Sequence, residues 1–205
     1  MVDRASCERR VYRLAVLLSG NPNAAGAVIR SVLGAQPDLR KLDSSHLDRL
    51  TVLRSREVKP AAIMSDAVPL AVAAALAGLT AQQREAWVFH HVYRLPEREM
   101  AKAMDCSMHA ISMHLQAAEE HMAKVLGGPQ QAHSSAKALL AYTLSLDVPK
   151  FYRTAMRSAA RMRRIMRWAL IAIIVGILMT ATLYILHRSG VLEPLIRSLP
   201  SGTET

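Results

Sequence analysis

Apolar residues recur every three or four positions along most of the chain, and this spacing predicts an all-α protein. Short breaks that contain polar residues, glycine or proline separate one helical pattern from the next. The pattern predicts helices over residues 6–19, 23–34, 45–56, 68–77, 80–93, 96–104, 107–126 and 131–145, and a long final helix from residue 151 onward. That last helix passes from a basic stretch into an uncharged apolar one.

Polar residues at three of these helix starts indicate N-caps. Thr80 and Gln83 form a Thr-x-x-Gln capping box, in which each side chain accepts a hydrogen bond from the backbone amide of the other residue. Ser45 and Asp48 predict a second capping box. Ser107 is a favourable N-cap because its hydroxyl can accept a bond from the first turn of the helix.

The segment around Ser107 predicts a helix-turn-helix. Glu97 and Glu99 favour a helix that begins at Pro96, because acidic side chains in a first turn interact well with the helix dipole. The polar break at residues 105–107 leads into an amphipathic helix whose predicted buried face holds Ile111, Leu115, Ala118 and Met122. Two helices joined by such a turn, the second amphipathic, form the unit that places a helix in a DNA groove.

This part of the chain resembles region 4 of the extracytoplasmic-function sigma factors, small sigma-70 family subunits that direct bacterial RNA polymerase to promoters. Residues 79–85, Leu-Thr-Ala-Gln-Gln-Arg-Glu, match the opening of the long helix of that region. Residues 97–101 match its acidic short helix, and residues 110–115 lie where its recognition helix should be. The spacing of apolar positions agrees throughout this stretch.

The first residues resemble region 2 of the same family. Residues 11–15, Val-Tyr-Arg-Leu-Ala, and residues 20–24, Gly-Asn-Pro-Asn-Ala, match the helix and the turn that begin that region. The resemblance implies an all-α fold of two small helical domains, a region 2-like domain at 1–58 and a region 4-like helix-turn-helix domain at 67–128, joined by a linker at 59–66. Composition and charge add further segments outside these two domains. They are a connecting helix at 129–149, a basic helix at 150–167, a transmembrane helix at 168–186 and an exterior tail at 187–205.

The resemblance also implies functional residues and partners. Promoter DNA and the RNA polymerase core are the implied partners. Polar side chains can bond to base edges, and the implied base contacts from the recognition helix are Ser107, His109, Ser112, Met113, His114 and Gln116. Phosphate contacts are made mostly by cationic side chains, and the implied ones are Arg84, Arg98 and Lys102.

The charge balance and the aromatic content of the chain suggest an alternative function that does not involve DNA binding. Residues 67–126 carry five lysines and arginines against six acidic residues, whereas cations supply much of the affinity for duplex DNA. No Trp, Phe or Tyr lies between Arg13 and Ala86, so that stretch lacks faces on which the bases of a melted strand could stack. The charged residues of the third helix are interpreted as a solvated face: Asp48, Arg49, Arg54 and Arg56.

Two functions therefore stand at this point. The first is a membrane-tethered, sigma-factor-like transcription regulator that binds promoter DNA, RNA polymerase or both. The alternative is a protein-interaction module at the membrane that keeps the sigma fold without reading DNA. The charge balance favours the alternative, and the apolar spacing fits both.

The membrane prediction rests on residues 168–186, which carry no charge and approach the roughly 20 residues needed to cross a bilayer. Basic residues before this span outnumber those after it, which predicts a cytoplasmic N-terminus and an exterior tail. Ala172, Gly176 and Thr180 are spaced by four, which predicts close helix approach in a homodimer. Anionic membrane lipids are expected to bind the basic helix through Arg153, Arg157, Arg161, Arg163, Arg164 and Arg167.

The remaining chemistry of the sequence is sparse. Cys7 and Cys106 are far apart and are expected to be reduced thiols in the cytoplasm. The eight histidines form no His-Glu-x-x-His pattern, and His90 and His91 are adjacent, so they should point to different helix faces. The sequence contains no glycine-rich phosphate loop and no nucleophile motif. We therefore expect no metal ion, no cofactor and no enzymatic activity.

Overall fold

The computed structural model describes residues 4–35 and 43–188, and this part of the chain contains helices, turns and connections but no strand. Its helices are α1 (Arg4–Ser19), α2 (Pro22–Ala35), α3 (Ser44–Ser55), α4 (Leu70–Ala77), α5 (Ala81–Trp87), α6 (Glu97–Met104), α7 (Met108–Leu126), α8 (Pro129–Ser145) and α9 (Lys150–Arg188). α5 continues directly into a π-helical turn at Val88–Val92. Every predicted helix is present with ends shifted by a residue or two, so the all-α prediction is confirmed.

Side-chain caps fix two of the helix starts as predicted. The Gln83 amide donates to Thr80 Oγ1 at 3.3 Å, and the Thr80 amide donates to Gln83 Oε1 at 3.0 Å. At the start of α7, the Ala110 amide donates to Ser107 Oγ at 3.2 Å. Each bond satisfies a first-turn amide that has no partner within its own helix.

The predicted capping box at Ser45 and Asp48 is wrong. α3 begins after Asp43, whose side chain makes no capping bond. The Asp48 carboxylate instead accepts two bonds from the Arg10 guanidinium, at 2.8 and 2.6 Å. Ser45 Oγ donates to Glu99 Oε2 at 2.6 Å. Tertiary partners thus draw both side chains away from the helix terminus.

The described residues up to Met156 form one compact unit around one hydrophobic core. The core includes Leu14 and Ile29 from the first of the two predicted domains together with Trp87 and Ile111 from the second. The predicted linker at 59–66 runs through this unit, since Ile63 is buried in the same core. The two parts are therefore packed together and are not separate bodies.

The turn between α1 and α2 shows how the segment before α4 is held. The Ala61 amide donates to the Ser19 carbonyl at 2.9 Å. Gly20 has a φ of +73°, and a Cβ at this position would lie 1.9 Å from the Ala61 carbonyl oxygen. Both the left-handed backbone and the close approach of Ala61 require glycine here.

α8 and the start of α9 belong to the same compact unit. Arg13 of α1 donates from Nη2 to the Leu144 carbonyl at 2.6 Å and from Nε to the Leu146 carbonyl at 2.9 Å. At the start of α9, the ring centroid of Tyr152 lies 6.3 Å from that of Tyr12, and the Arg30 guanidinium lies 5.2 Å from the Tyr152 ring. The predicted connecting helix is therefore packed on α1, and the compact unit extends past residue 149.

The second unit comprises residues 157–205, of which the structure describes α9 up to Arg188. Ile165–Thr182 is long and apolar enough to span a membrane, and none of its residues is buried. The prediction of a span-length apolar helix near the C-terminus is confirmed at this level. Residues 189–205, most of the predicted exterior tail, lie outside the described residues.

The predicted lipid-binding arginines lie along α9, and the side chain of one of them, Arg167, is exposed. The side chains of the other five, Arg153, Arg157, Arg161, Arg163 and Arg164, lie outside the described part of the structure. Ala172, Gly176 and Thr180 are all exposed, and Thr180 Oγ1 donates within its own helix to the Gly176 carbonyl at 3.0 Å. A homodimer through this face stays a prediction.

Candidate nucleic-acid interface

α6, the turn after it and α7 form the predicted helix-turn-helix. Asp105 ends α6 with φ 56° and ψ 47°, a left-handed conformation that Asp adopts more readily than most residues. The Cys106 amide donates to the Ala101 carbonyl at 3.2 Å, and Ser107 then caps α7. The predicted inner face is buried at Ile111, Ala118 and Met122 and half-buried at Leu115.

The side chains predicted to contact bases lie along the N-terminal half of α7 and its cap. His114 is half-buried, and the others are exposed: Ser107, His109, Ser112, Met113 and Gln116. Ser112 Oγ donates to the Met108 carbonyl at 3.2 Å, and Gln116 Nε2 donates to Glu120 Oε1 at 3.0 Å. This outer face of α7 is accessible, and two of its polar side chains already bond within their own helix.

Two methionines make the outer face of α7 partly apolar. Met108 and Met113 are 51% and 55% exposed. Methionine is flexible and polarisable, and it is common on protein-binding surfaces that adapt to their partner. The sequence pattern placed Met113 on this face but did not single out Met108, which stands in the first turn beside the cap.

Arg98 and Lys102 remain available to contact phosphates. Both are exposed on α6, and Lys102 Nζ donates to Glu99 Oε1 at 2.8 Å. An exposed ion pair of this kind contributes little to stability, so Lys102 can exchange Glu99 for a phosphate at small cost. Arg94, just before α6, is also exposed.

The prediction that Arg84 contacts phosphate is wrong, because the Arg84 side chain is fully buried. Its Nε donates to the Leu17 carbonyl at 2.8 Å, and its Nη1 donates to the Ala61 carbonyl at 3.2 Å. Leu17 lies in the last turn of α1, where carbonyls lack helical partners and the dipole favours a cation. Burial lowers the pKa of Arg84 to about 10, which leaves the guanidinium charged at neutral pH. Arg84, which lies in α5, therefore joins this helix to α1 and to the segment that precedes α4.

A partly buried ion pair that the sequence did not reveal joins the end of α3 to α5. Arg56 donates from Nε and Nη2 to the two carboxylate oxygens of Glu85, at 2.9 and 2.6 Å. Arg56 Nη2 also donates to the Met104 carbonyl at 3.0 Å. Burial raises the pKa of the Glu85 carboxyl, and the bonds and charge of Arg56 oppose that rise. Arg56 and Glu85 are 29 residues apart, so no local pattern links them.

Further contacts place α3 beside the helix-turn-helix. Arg49 Nη2 lies 3.0 Å from Asp105 Oδ1, in the turn before α7, and Ser45 bonds to Glu99 of α6. The predicted solvated face of α3 is therefore wrong for Asp48, which is itself buried and pairs with Arg10, and for Arg56, which pairs with the buried Glu85. Arg54 does fit a solvated position, since it pairs with Glu57 and both side chains are exposed.

Two histidines of the π turn approach a carboxylate of α7. His91 Nε2 lies 2.9 Å from Glu119 Oε1, and the ring centroids of His90 and His91 lie 4.7 Å apart. One ligand atom from each of His90, His91 and Glu119 can be chosen so that all lie within 4.8 Å of one another. The prediction of different faces assumed a rotation of about 100° per residue in an α-helix. The π turn has more residues per turn, so successive side chains lie closer in angle.

Comparison with known proteins adds no relative. No family model matches the chain, and no curated protein or solved structure matches it significantly.

Proposed function

We propose that this chain is a membrane-tethered, sigma-factor-like transcription regulator that acts through the outer face of α7. The observation that carries the proposal is the division of α7 into two faces. Its inner face is buried at Ile111, Ala118 and Met122, and its outer face leaves Ser112 and Gln116 accessible. Promoter DNA and the RNA polymerase core are the proposed partners. The apolar segment Ile165–Thr182 supports membrane attachment through its length and composition.

The accessible cations limit how strongly α7 can hold duplex DNA. Arg94, Arg98 and Lys102 are exposed near the helix-turn-helix, whereas Arg84 and Arg56 are engaged by carbonyls and by Glu85. Three phosphate contacts would give a slope of about −2.7 when the logarithm of affinity is plotted against that of salt concentration. Binding of promoter duplex is therefore expected to be weak at physiological salt.

Added charge on the outer face of α7 is expected to strengthen duplex binding. The double variant Ser112→Arg/Gln116→Arg places two cations one helical turn apart at exposed positions. Its salt slope should steepen by about 1.8, and affinity at low salt should rise at least about tenfold. The measurement is fluorescence anisotropy of labelled duplex with the full-length protein in nanodiscs of neutral lipid, across salt concentrations.

A matched control separates α7 from general charge. The variant Gln130→Arg/Gln131→Arg adds the same two charges at exposed positions of α8 and should leave affinity nearly unchanged. An equal gain in the α8 variant would show non-specific attraction and would contradict the role of α7. A wild-type protein that binds duplex tightly at physiological salt would contradict the weak binding proposed above.

The second candidate function is a membrane-bound protein-interaction module that does not read DNA. The exposed methionines Met108 and Met113 favour it, because an apolar patch on an accessible helix suits a protein partner. The RNA polymerase core is the partner to test. Core binding that is lost in Met113→Asp, together with no duplex binding by wild type, would assign this second function.

We expect the N-terminus in the cytoplasm and the C-terminus outside. Residues 150–167 carry seven basic and no acidic residues, against Arg188 and Arg197 after the apolar segment, and such an excess stays on the cytoplasmic side. A periplasm-active reporter fused after Thr205 should be active, and a cytoplasm-active reporter there should be inactive. The triple variant Arg163→Gln/Arg164→Gln/Arg167→Gln should raise the reversed fraction. A C-terminal reporter active only in the cytoplasm would reverse the proposed topology.

A further inference from the structure

We propose that His90, His91 and Glu119 form a site for one divalent transition-metal ion of the Zn²⁺ type, which ties the π turn to α7. Two imidazole nitrogens and a carboxylate oxygen are a ligand set that Zn²⁺ accepts, with metal–ligand distances of about 2.0–2.2 Å. The three side chains come from two elements, since His90 and His91 lie in the π turn and Glu119 lies in α7. The ion would therefore form a crosslink across the fold.

The distances between the ligand atoms suit a four-coordinate ion after small side-chain rotations. Ligands of a tetrahedral site with these bond lengths lie about 3.3 Å apart. His91 Nε2 and Glu119 Oε1 are already 2.9 Å apart, and the set lies within 4.8 Å. His90 is exposed and the Glu119 side chain is 49% exposed, so both can rotate over the remaining distance, which is at most about 1.5 Å, without disturbing the core.

The backbone explains why adjacent histidines can share one ion. The Tyr93 amide donates to the Val88 carbonyl at 3.1 Å, five residues back, which is the bond that defines a π turn. Arg94 then adopts a left-handed φ of 52°, which is uncommon for a residue other than glycine. π turns within helices are frequently found at functional sites. His91 is held in place by the Trp87 ring, with centroids 5.1 Å apart, so little ordering is needed on binding.

The surroundings leave room for solvent to complete the coordination. A cavity of about 370 Å³ is lined by His90, His91, Arg94, Leu95 and His133. Imidazole and carboxylate ligands leave one position of a tetrahedral ion to water. Arg94 and His133 could also attract an anion, but the Glu119 carboxylate beside His91 would repel one. The carboxylate favours a cation in this cluster.

The test uses the full-length protein in detergent micelles, purified through a tag without histidine and stripped of metal. Zn²⁺ titration by calorimetry should show one equivalent bound per chain, and Co²⁺ should give the visible absorption of a four-coordinate ion. His90→Ala and Glu119→Gln should each weaken Zn²⁺ binding at least about tenfold. Both positions are exposed or half-exposed, so these variants are expected to keep the fold.

Control variants exclude binding elsewhere. His109→Ala removes an exposed histidine of α7 outside the cluster, and Cys106→Ser removes a half-buried thiol; neither should change the Zn²⁺ affinity. Zn²⁺ should raise the melting temperature of wild type and not that of Glu119→Gln, because only an ion that binds the native state stabilises it. Absence of one-equivalent binding in wild type, or an equal loss in His109→Ala, would overturn the site.

Discussion

Replacing Arg84 with leucine is expected to lower the free energy of unfolding by about 3 kcal/mol. Leucine cannot bond to the carbonyls of Leu17 and Ala61 that the guanidinium now satisfies, and each buried unpaired carbonyl costs about 1–3 kcal/mol. Removal of a buried charge offsets part of that cost. Urea unfolding of the full-length protein in micelles measures the change. A Trp168→Phe background leaves Trp87, which is buried in the core, as the only tryptophan.

The control for Arg84 is Arg98→Leu on the surface of α6. Arg98 is exposed, so its replacement should change stability by less than about 0.5 kcal/mol and should weaken duplex binding instead. Arg84→Leu should leave duplex affinity unchanged at a temperature where both proteins are folded. A stable Arg84→Leu protein with lost duplex affinity would restore Arg84 as a phosphate ligand.

The helices could be predicted from the sequence because their signals are local. The Thr80–Gln83 box and the Ser107 cap each involve residues three positions apart, and both are present as predicted. Ser45 and Asp48 have the same spacing, but the capping box that this spacing predicts does not form. Their partners, Glu99 and Arg10, are 54 and 38 residues away, and a strong tertiary bond displaced the local one.

The roles of Arg84 and Glu85 show what a motif match leaves open. Both residues lie in the stretch 79–85 that carries the proposed resemblance, and a match of residue types contains no information on burial. The run Ala86, Trp87, Val88 and Phe89 that follows is buried without interruption. A helix that is apolar on all sides lies within the core, and buried charges there need partners. The apolar composition of this run thus indicates that Arg84 and Glu85 are buried, but it does not identify Leu17 and Arg56 as their partners.

The outer face of α7 could be predicted from the sequence, whereas the cluster of His90, His91 and Glu119 could not. An amphipathic period divides α7 into an inner and an outer face without knowledge of the rest of the fold. The proximity of His90, His91 and Glu119 depends on a π turn and on packing between residues 28 positions apart. Neither follows from a local pattern.

Replacing Arg56 with methionine is expected to destabilise the protein by about 3 kcal/mol at pH 7, and more than Glu85→Gln does. Removing one partner of a buried ion pair is costly because the other charge stays buried. The Glu85 side chain is only 2% exposed, whereas Arg56 is 28% exposed and can turn toward solvent. Loss of the arginine therefore leaves the Glu85 charge buried without its partner, which costs more than leaving the Arg56 charge unpaired. Urea unfolding of both variants in micelles gives the two values.

The cost of Arg56→Met should also depend on pH. Burial raises the pKa of Glu85, and Arg56 opposes that rise, so the variant raises the folded-state pKa further above its unfolded value. A group with a raised folded pKa loses its contribution to stability as pH rises from the unfolded pKa, about 4.3, through the folded one. The deficit relative to wild type should therefore be small near pH 4.5 and grow toward pH 8.

Two further variants test the cause of that pH dependence. Arg54→Met breaks the exposed pair with Glu57 and should show a small deficit, below about 0.5 kcal/mol, that does not change with pH. The double variant Arg56→Met/Glu85→Met removes both charges and should recover most of the lost stability, since an apolar pair of similar volume can replace a buried ion pair. A deficit in Arg56→Met that stays constant from pH 4.5 to 8 would mean that packing of the arginine stem, and not the Glu85 charge, joins α3 to α5.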